Sequence, residues 1–157
     1  RSEGVDEKPS FRAAFKRRRC LVPATGFYEW KKKGSSKEPY FISMEDGEPF
    51  AFAGLWETWS PPDGGQIDTC TILTTEPNQL MEELHNRMPV ILCRQDYAFW
   101  LGNGMDATKD EQGELKSLLR PYDAAEMVAW PVAAKVGNPR NEGADLIVST
   151  RSTFKTA

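Results

Sequence analysis

The chain has 157 residues, 39% of them hydrophobic and 27% charged, with five Trp and eight Phe. That is enough to bury roughly 70% of the unfolded surface in a domain-sized core without disulfide staples. No run approaches the ~18 apolar residues of a membrane span and no secretory signal pattern opens the chain, so it reads as a soluble protein with no membrane partner.

The net charge of −3 conceals an asymmetry. Residues 1–37 carry eleven Lys and Arg against four acids, a local balance of +7 that leaves −10 for the remainder. A basic segment on an acidic body points to an anionic partner, most often nucleic acid. Solvated charged faces are the plain alternative, and charge does not decide between them.

In chain order, Ser10 is placed to cap a short helix, with Phe11, Ala14 and Phe15 on one side and Arg12, Lys16 and Arg19 on the other. Strands follow over residues 19–22 and 26–32, around a Pro23-Ala24-Thr25-Gly26 break. A turn at Lys33-Gly34-Ser35-Ser36 leads into a strand over 39–44, and Asp46-Gly47 turns into another over 50–57. Pro61 to Gly65 is a loop, and 68–75 alternates apolar and polar residues as a further strand. A short helix over 77–84 ends before His85-Asn86-Arg87-Met88-Pro89, where Pro89 favours an extended Met88 and a loop into a strand at 90–93. Helical periodicity covers 94–101 and 111–119, a late strand 127–132, and a turn 137–141. With no repeat and no dividing linker, this predicts one α+β domain over 1–148, its sheets mostly antiparallel, and a polar tail over 149–157.

Cys20, Cys70 and Cys93 are odd in number, widely spaced and set in apolar runs, which reads as buried free thiols in a reducing, cytoplasmic compartment. One histidine and no paired-cysteine spacing offer no usual zinc ligand set, so no metal or other cofactor is expected.

Two side chains stand out as candidates for chemistry. Glu29 lies in Gly26-Phe27-Tyr28-Glu29-Trp30, where strand alternation puts it on one face with Phe27 and puts Tyr28 and Trp30 on the other. A carboxylate beside Phe27 is open to desolvation, which favours proton transfer near neutral pH. The bland alternative is an exposed strand residue paired with Lys31 or Lys37. His85 is the only histidine, on a loop between a helix and a strand, and imidazole titrates between pH 5 and 8. Arg87, two residues on, can hold a phosphate bidentately.

Three motifs then point one way. Arg19-Cys20-Leu21-Val22-Pro23-Ala24-Thr25-Gly26-Phe27-Tyr28-Glu29-Trp30 resembles the hallmark strand of the SRAP family, the SOS response-associated peptidases. Leu84-His85-Asn86-Arg87-Met88-Pro89-Val90 resembles its His-Asp-Arg-Met-Pro segment, with Asn86 in place of Asp. Pro131-Val132 followed by Val136-Gly137-Asn138-Pro139-Arg140-Asn141-Glu142-Gly143 is similar to its closing motif, and Arg1-Ser2-Glu3 is similar to its Asn-Ala-Arg-x-Glu segment entered two residues late.

The resemblance implies a barrel-like β core with flanking helices, and a monomeric sensor of abasic sites in single-stranded DNA, nucleoid-associated in a bacterium. In that family an N-terminal cysteine closes a thiazolidine with the ring-opened sugar aldehyde. The resemblance gives Glu29 the proton shuttling of Schiff-base formation and His85 the protonation of the sugar ring oxygen. It also implies a self-processing peptidase step to which Glu29 contributes. Arg1 and Arg87 are expected to hold phosphates beside the pocket that Glu29 and His85 share. The N-terminal cysteine is not among these 157 residues, and an internal Cys20 has no free α-amine to replace it, so the chain by itself is expected not to crosslink. Two other readings stay open: a noncatalytic single-stranded nucleic-acid module, and a cysteine hydrolase pairing His85 with Cys20, Cys70 or Cys93.

Overall fold

The computed structural model describes residues 1–104 and 106–151. Most of the predicted C-terminal tail, from residue 152, lies outside the described residues.

The elements in chain order are α1 (Arg12–Arg17), β1 (Arg19–Ala24), β2 (Phe27–Lys33), β3 (Ser36–Met44), β4 (Phe50–Trp59), β5 (Ile67–Ile72), β6 (Thr74–Thr75), α2 (Gln79–Glu82), β7 (Met88–Pro89), β8 (Ile91–Leu92), α3 (Tyr97–Leu101), α4 (Lys109–Ser117) and β9 (Met127–Pro131), with short 3-10 turns between them. The fold is α+β, and every named strand pairing is antiparallel. Among the described residues no sheet closes into a barrel: the strand orders are β1-β4-β5 with β8 also on β4, β2-β3-β9, and β6-β7.

The chain forms two compact units, each assembled from three separate segments. The first (Arg1–Ala24, Phe50–Glu76 and Arg87–Tyr122) packs α1, α3 and α4 with the β4-centred sheet. Its core includes Phe15, Leu55, Leu73, Val90, Trp100 and Leu115, all at most 3% exposed. Thr108 and Glu111 form a reciprocal capping box at the start of α4.

Arg19 departs from the sequence expectation. Alternation placed it on the polar side of the first helix, yet it is only 7% exposed. The helix ends at Arg17, so Arg19 begins β1 instead and its guanidinium turns back inward. Its Nε donates to Trp100 O (2.5 Å) and its Nη1 to Phe15 O (2.8 Å) and Lys16 O (2.7 Å). These carbonyls belong to the last turns of α3 and α1, where helices lack internal donors and favour positive charge. Gly102 ends α3 in the left-handed region (φ +66°), and a Cβ there would stand 2.2 Å from Arg19 Nη2. Ser10 likewise gives no helix cap: Phe11 holds the N-cap position without a side-chain hydrogen bond.

The cysteines correct another expectation. Cys20 and Cys93 are half-buried but Cys70 is exposed. It lies on β5, an edge strand exposed along its whole length, so alternation there does not produce a buried face.

The second unit (Thr25–Pro49, Pro77–Asn86 and Asp123–Ala157) is built on the β2-β3-β9 sheet. Ile42 and Met81 are fully buried in it, and Phe41, Met44, Leu84 and Met127 are nearly so. Tyr28, Phe41 and Trp130 stand opposite one another across the three strands. Their rings pack edge-on or tilted, 5.3 Å and 5.2 Å between centroids.

Candidate functional site

The aromatic row sets the pleat of β2. Tyr28 packs toward Phe41 on one face, so Phe27, Glu29 and Lys31 project from the other. A slip of one residue would reverse Glu29 together with the aromatics, and the ring packing opposes it. Gly26, just before β2, is required by close approach: a Cβ there would lie 2.1 Å from Phe41 Cζ and 2.7 Å from Ile42 O. The glycine of the Gly-Phe-Tyr-Glu-Trp stretch thus lets the row close up at the residue leading to Glu29.

His85 is fixed from a different direction. Asn78 caps α2, its side chain accepting from Met81 N–H (2.9 Å), while its amide contacts Met127 Sδ at 3.3 Å. The backbone N–H groups of Leu84 and His85 both donate to Met81 O at 2.8 Å. Since the Met81 side chain is wholly buried, the histidine hangs from an anchored turn. Lys31 Nζ to Glu83 Oε2, at 3.1 Å, ties β2 to the same segment.

These two supports bring Glu29 Oε2 to 3.9 Å from His85 Nδ1, across 56 positions of sequence. Glu29 is not paired with Lys31 or Lys37; its Oε1 accepts from Trp30 N–H at 3.1 Å. The carboxylate side chain is 24% exposed and the imidazole 45%. Both line an open cleft of about 740 Å³, with Trp30, Lys32, Lys37, Glu82, Glu83 and Asn86 among the other walls. A carboxylate and an imidazole this close, both reached by solvent, can hand a proton to and from a group lodged beside them, directly or through one water.

Arg1 and Arg87 belong to the first unit. Arg1 is exposed. Arg87 makes a two-pronged pair with Glu3, Nη2 to Oε2 at 3.1 Å, and its Nη2 also donates to Thr74 O at 2.6 Å. The hydrogen bonds from Arg87 hold the Glu3 carboxyl at about 2, well below its ordinary value. Arg87 is thus positioned, with its charge shared by an exposed carboxylate that a phosphate would have to displace.

Nothing about Cys20 suggests a nucleophile: burial pushes its thiol pKa up, away from the thiolate. Among the described residues no group of three or more His, Cys, Asp and Glu is placed to hold a metal ion. The contributions of Trp30, Lys32 and Lys37 to the cleft were not singled out by sequence. The three consecutive lysines read there as one basic run, and only the hairpin register separates their roles.

Comparison with known proteins gives a consistent picture. The model of the SOS response associated peptidase (SRAP) family matches residues 1–139. The chain is 45% identical over 150 residues to the abasic site processing protein YoqW of Bacillus subtilis, covering 95% of this chain and 65% of that protein. It is 33% identical to the abasic site processing protein HMCES of Xenopus tropicalis, covering 99% of this chain and 50% of the relative. The chain therefore spans less than two thirds of the length of these relatives. Among solved structures, a protein from Bacteroides thetaiotaomicron superposes with a TM-score of 0.86 at 30% identity, covering 96% of this chain and 64% of that one.

Proposed function

This chain belongs to the SOS response associated peptidase (SRAP) family, and from that premise we propose that it forms the acid–base part of a site acting on abasic positions in single-stranded DNA. The observation that carries the reading is the 3.9 Å approach of Glu29 and His85 in one cleft. It is supported by relatives named abasic site processing proteins in a bacterium and a vertebrate.

In the proposed reaction His85 donates a proton to the ring oxygen of the abasic sugar while the C1 hydroxyl gives up its own proton to solvent, so that the ring opens to its aldehyde. An N-terminal cysteine of the longer protein, absent from these 157 residues, then reacts twice at the same carbon. Its amine adds first, and Glu29 carries the proton from the amine nitrogen to the carbinolamine oxygen, which leaves as water. The thiol then adds across the resulting imine, its sulfur bonding to carbon and its proton passing to nitrogen. The product is a thiazolidine, and the only molecule released is water. Glu29 is also proposed to assist hydrolysis of a segment preceding that cysteine, the step for which the family is named. Arg1 and Arg87 are assigned phosphates of the strand, Arg87 by exchanging Glu3 for phosphate.

The test uses the longer protein with its N-terminal cysteine and two oligonucleotides, one bearing a true abasic site and one a tetrahydrofuran analogue that has no aldehyde. A heat-resistant adduct with the first and none with the second is expected, and the 157-residue chain alone should form neither. Adduct with the analogue, or none with either, would overturn the assignment.

A further inference from the structure

The β2-β3 hairpin contains an unfavourable arrangement of charge. Its register puts Lys32 directly opposite Lys37, and like charges facing each other across antiparallel strands destabilise the pair. The neighbouring lysines are treated differently. Lys31 pairs with Glu83, and Lys33 lies 3.9 Å from Glu38, which also binds Arg151 at 3.0 Å. Among the described residues neither Lys32 nor Lys37 has a carboxylate partner within ion-pair distance. Acids are not scarce, since the chain has 23 against 20 basic residues.

Both lysines line the cleft that holds Glu29 and His85. Residues from both faces of β2 contribute to it, Glu29 from one and Trp30 and Lys32 from the other, and Lys37 joins them from β3. Glu82 and Glu83, at and just beyond the end of α2, also line it, but Glu83 is paired with Lys31, so Lys32 and Lys37 remain the cleft's two uncompensated cations.

We propose that Lys32 and Lys37 form a phosphate clamp, holding adjacent phosphates of the single strand whose abasic sugar lies against Glu29 and His85. The inference rests on the reading of the cleft as a DNA site and adds the path of the strand: the backbone runs along the β2-β3 hairpin. Bound phosphates relieve the repulsion that the hairpin carries when empty, so binding and hairpin stability are opposed in the free protein.

The full chain is titrated with a fluorescent single-stranded oligonucleotide carrying one tetrahydrofuran residue, over a range of salt, and melted without DNA. Lys37→Glu places opposite charges across the hairpin. It should leave the melting temperature level or higher while weakening binding at least ten-fold. The Lys32→Gln, Lys37→Gln double variant should flatten the salt dependence by about 1.4 units of slope, about 0.7 for each phosphate that is no longer neutralised. If the wild-type chain binds and both variants match it in affinity and slope, the clamp is wrong while the cleft reading stands. If Lys37→Glu lowers melting temperature and affinity together, the lysines are structural and the clamp is again wrong. A wild-type chain that does not bind the oligonucleotide at any salt overturns both.

Discussion

Arg19 in the first unit and the Lys32–Lys37 pair in the second come from the same basic stretch of sequence, but their surroundings differ in kind. The Arg19 guanidinium is buried and donates to three carbonyls at the ends of α1 and α3. The two lysines are exposed, face each other, and line a cleft beside a carboxylate and an imidazole. A buried cation surrounded by backbone acceptors serves architecture, because desolvating it is tolerable only when its hydrogen bonds are made. Exposed cations set against each other serve the fold poorly and suit an anionic ligand. Local environment, not position in a basic run, separates these roles. Elsewhere in the stretch, Lys16 and Arg17 lie near Asp106, and Arg18 pairs with Glu57, which are surface contacts worth at most about 1 kcal/mol each.

That contrast can be broken from its structural side. Arg19→Met keeps the apolar stem but leaves the carbonyls of Phe15, Lys16 and Trp100 without their donor. Hydrogen bonds to charged groups contribute about 1.5–3 kcal/mol each, and some acceptors will recruit water. A net loss of about 3 kcal/mol in a urea titration is expected, with the m-value unchanged. A loss below about 1 kcal/mol would mean that Arg19 is replaceable and that the distinction drawn between the two regions is unsound.

A smaller effect is expected in the second unit. Gly26→Ala drives a methyl group to within 2.1 Å of Phe41 Cζ, so the ring must move. Overpacking of this kind costs about 1–3 kcal/mol. Since Phe41 belongs to the row that sets the pleat of β2, the substitution should also slow the proposed adduct formation in a chain extended to carry the N-terminal cysteine. Lost stability with an unchanged adduct rate would show that Glu29 is held by something other than the aromatic row.

Much of this was legible in the sequence for identifiable reasons. The alternation of Phe27, Tyr28, Glu29 and Trp30 fixes which face Glu29 occupies, because side-chain direction in a strand has a period of two. The approach of His85 was not legible from periodicity. It depends on the Asn78 cap, the burial of Met81 and the Lys31–Glu83 contact, all of which are tertiary, and only resemblance to known motifs joined the two residues beforehand. Arg19 misled because helix periodicity was extended past Arg17, where the helix ends. Cys70 misled because an apolar setting in sequence is not burial when the strand lies at a sheet edge. The lysine run concealed a hairpin register that assigns each lysine a different neighbour.

The central claim is that Glu29 transfers protons and does not merely shape the cleft. The direct test is Glu29→Gln in a chain extended to carry the proposed N-terminal cysteine, with adduct rate and affinity for intact single strands measured on the same preparation. Gln keeps the shape and can still accept from Trp30 N–H but cannot exchange a proton. Positioned acid–base groups contribute about 10²- to 10⁴-fold, so the adduct rate should fall at least ten-fold. Affinity should stay level or rise slightly, since a negative charge near DNA is removed. A parallel fall in rate and affinity, or no change in either, would contradict the account.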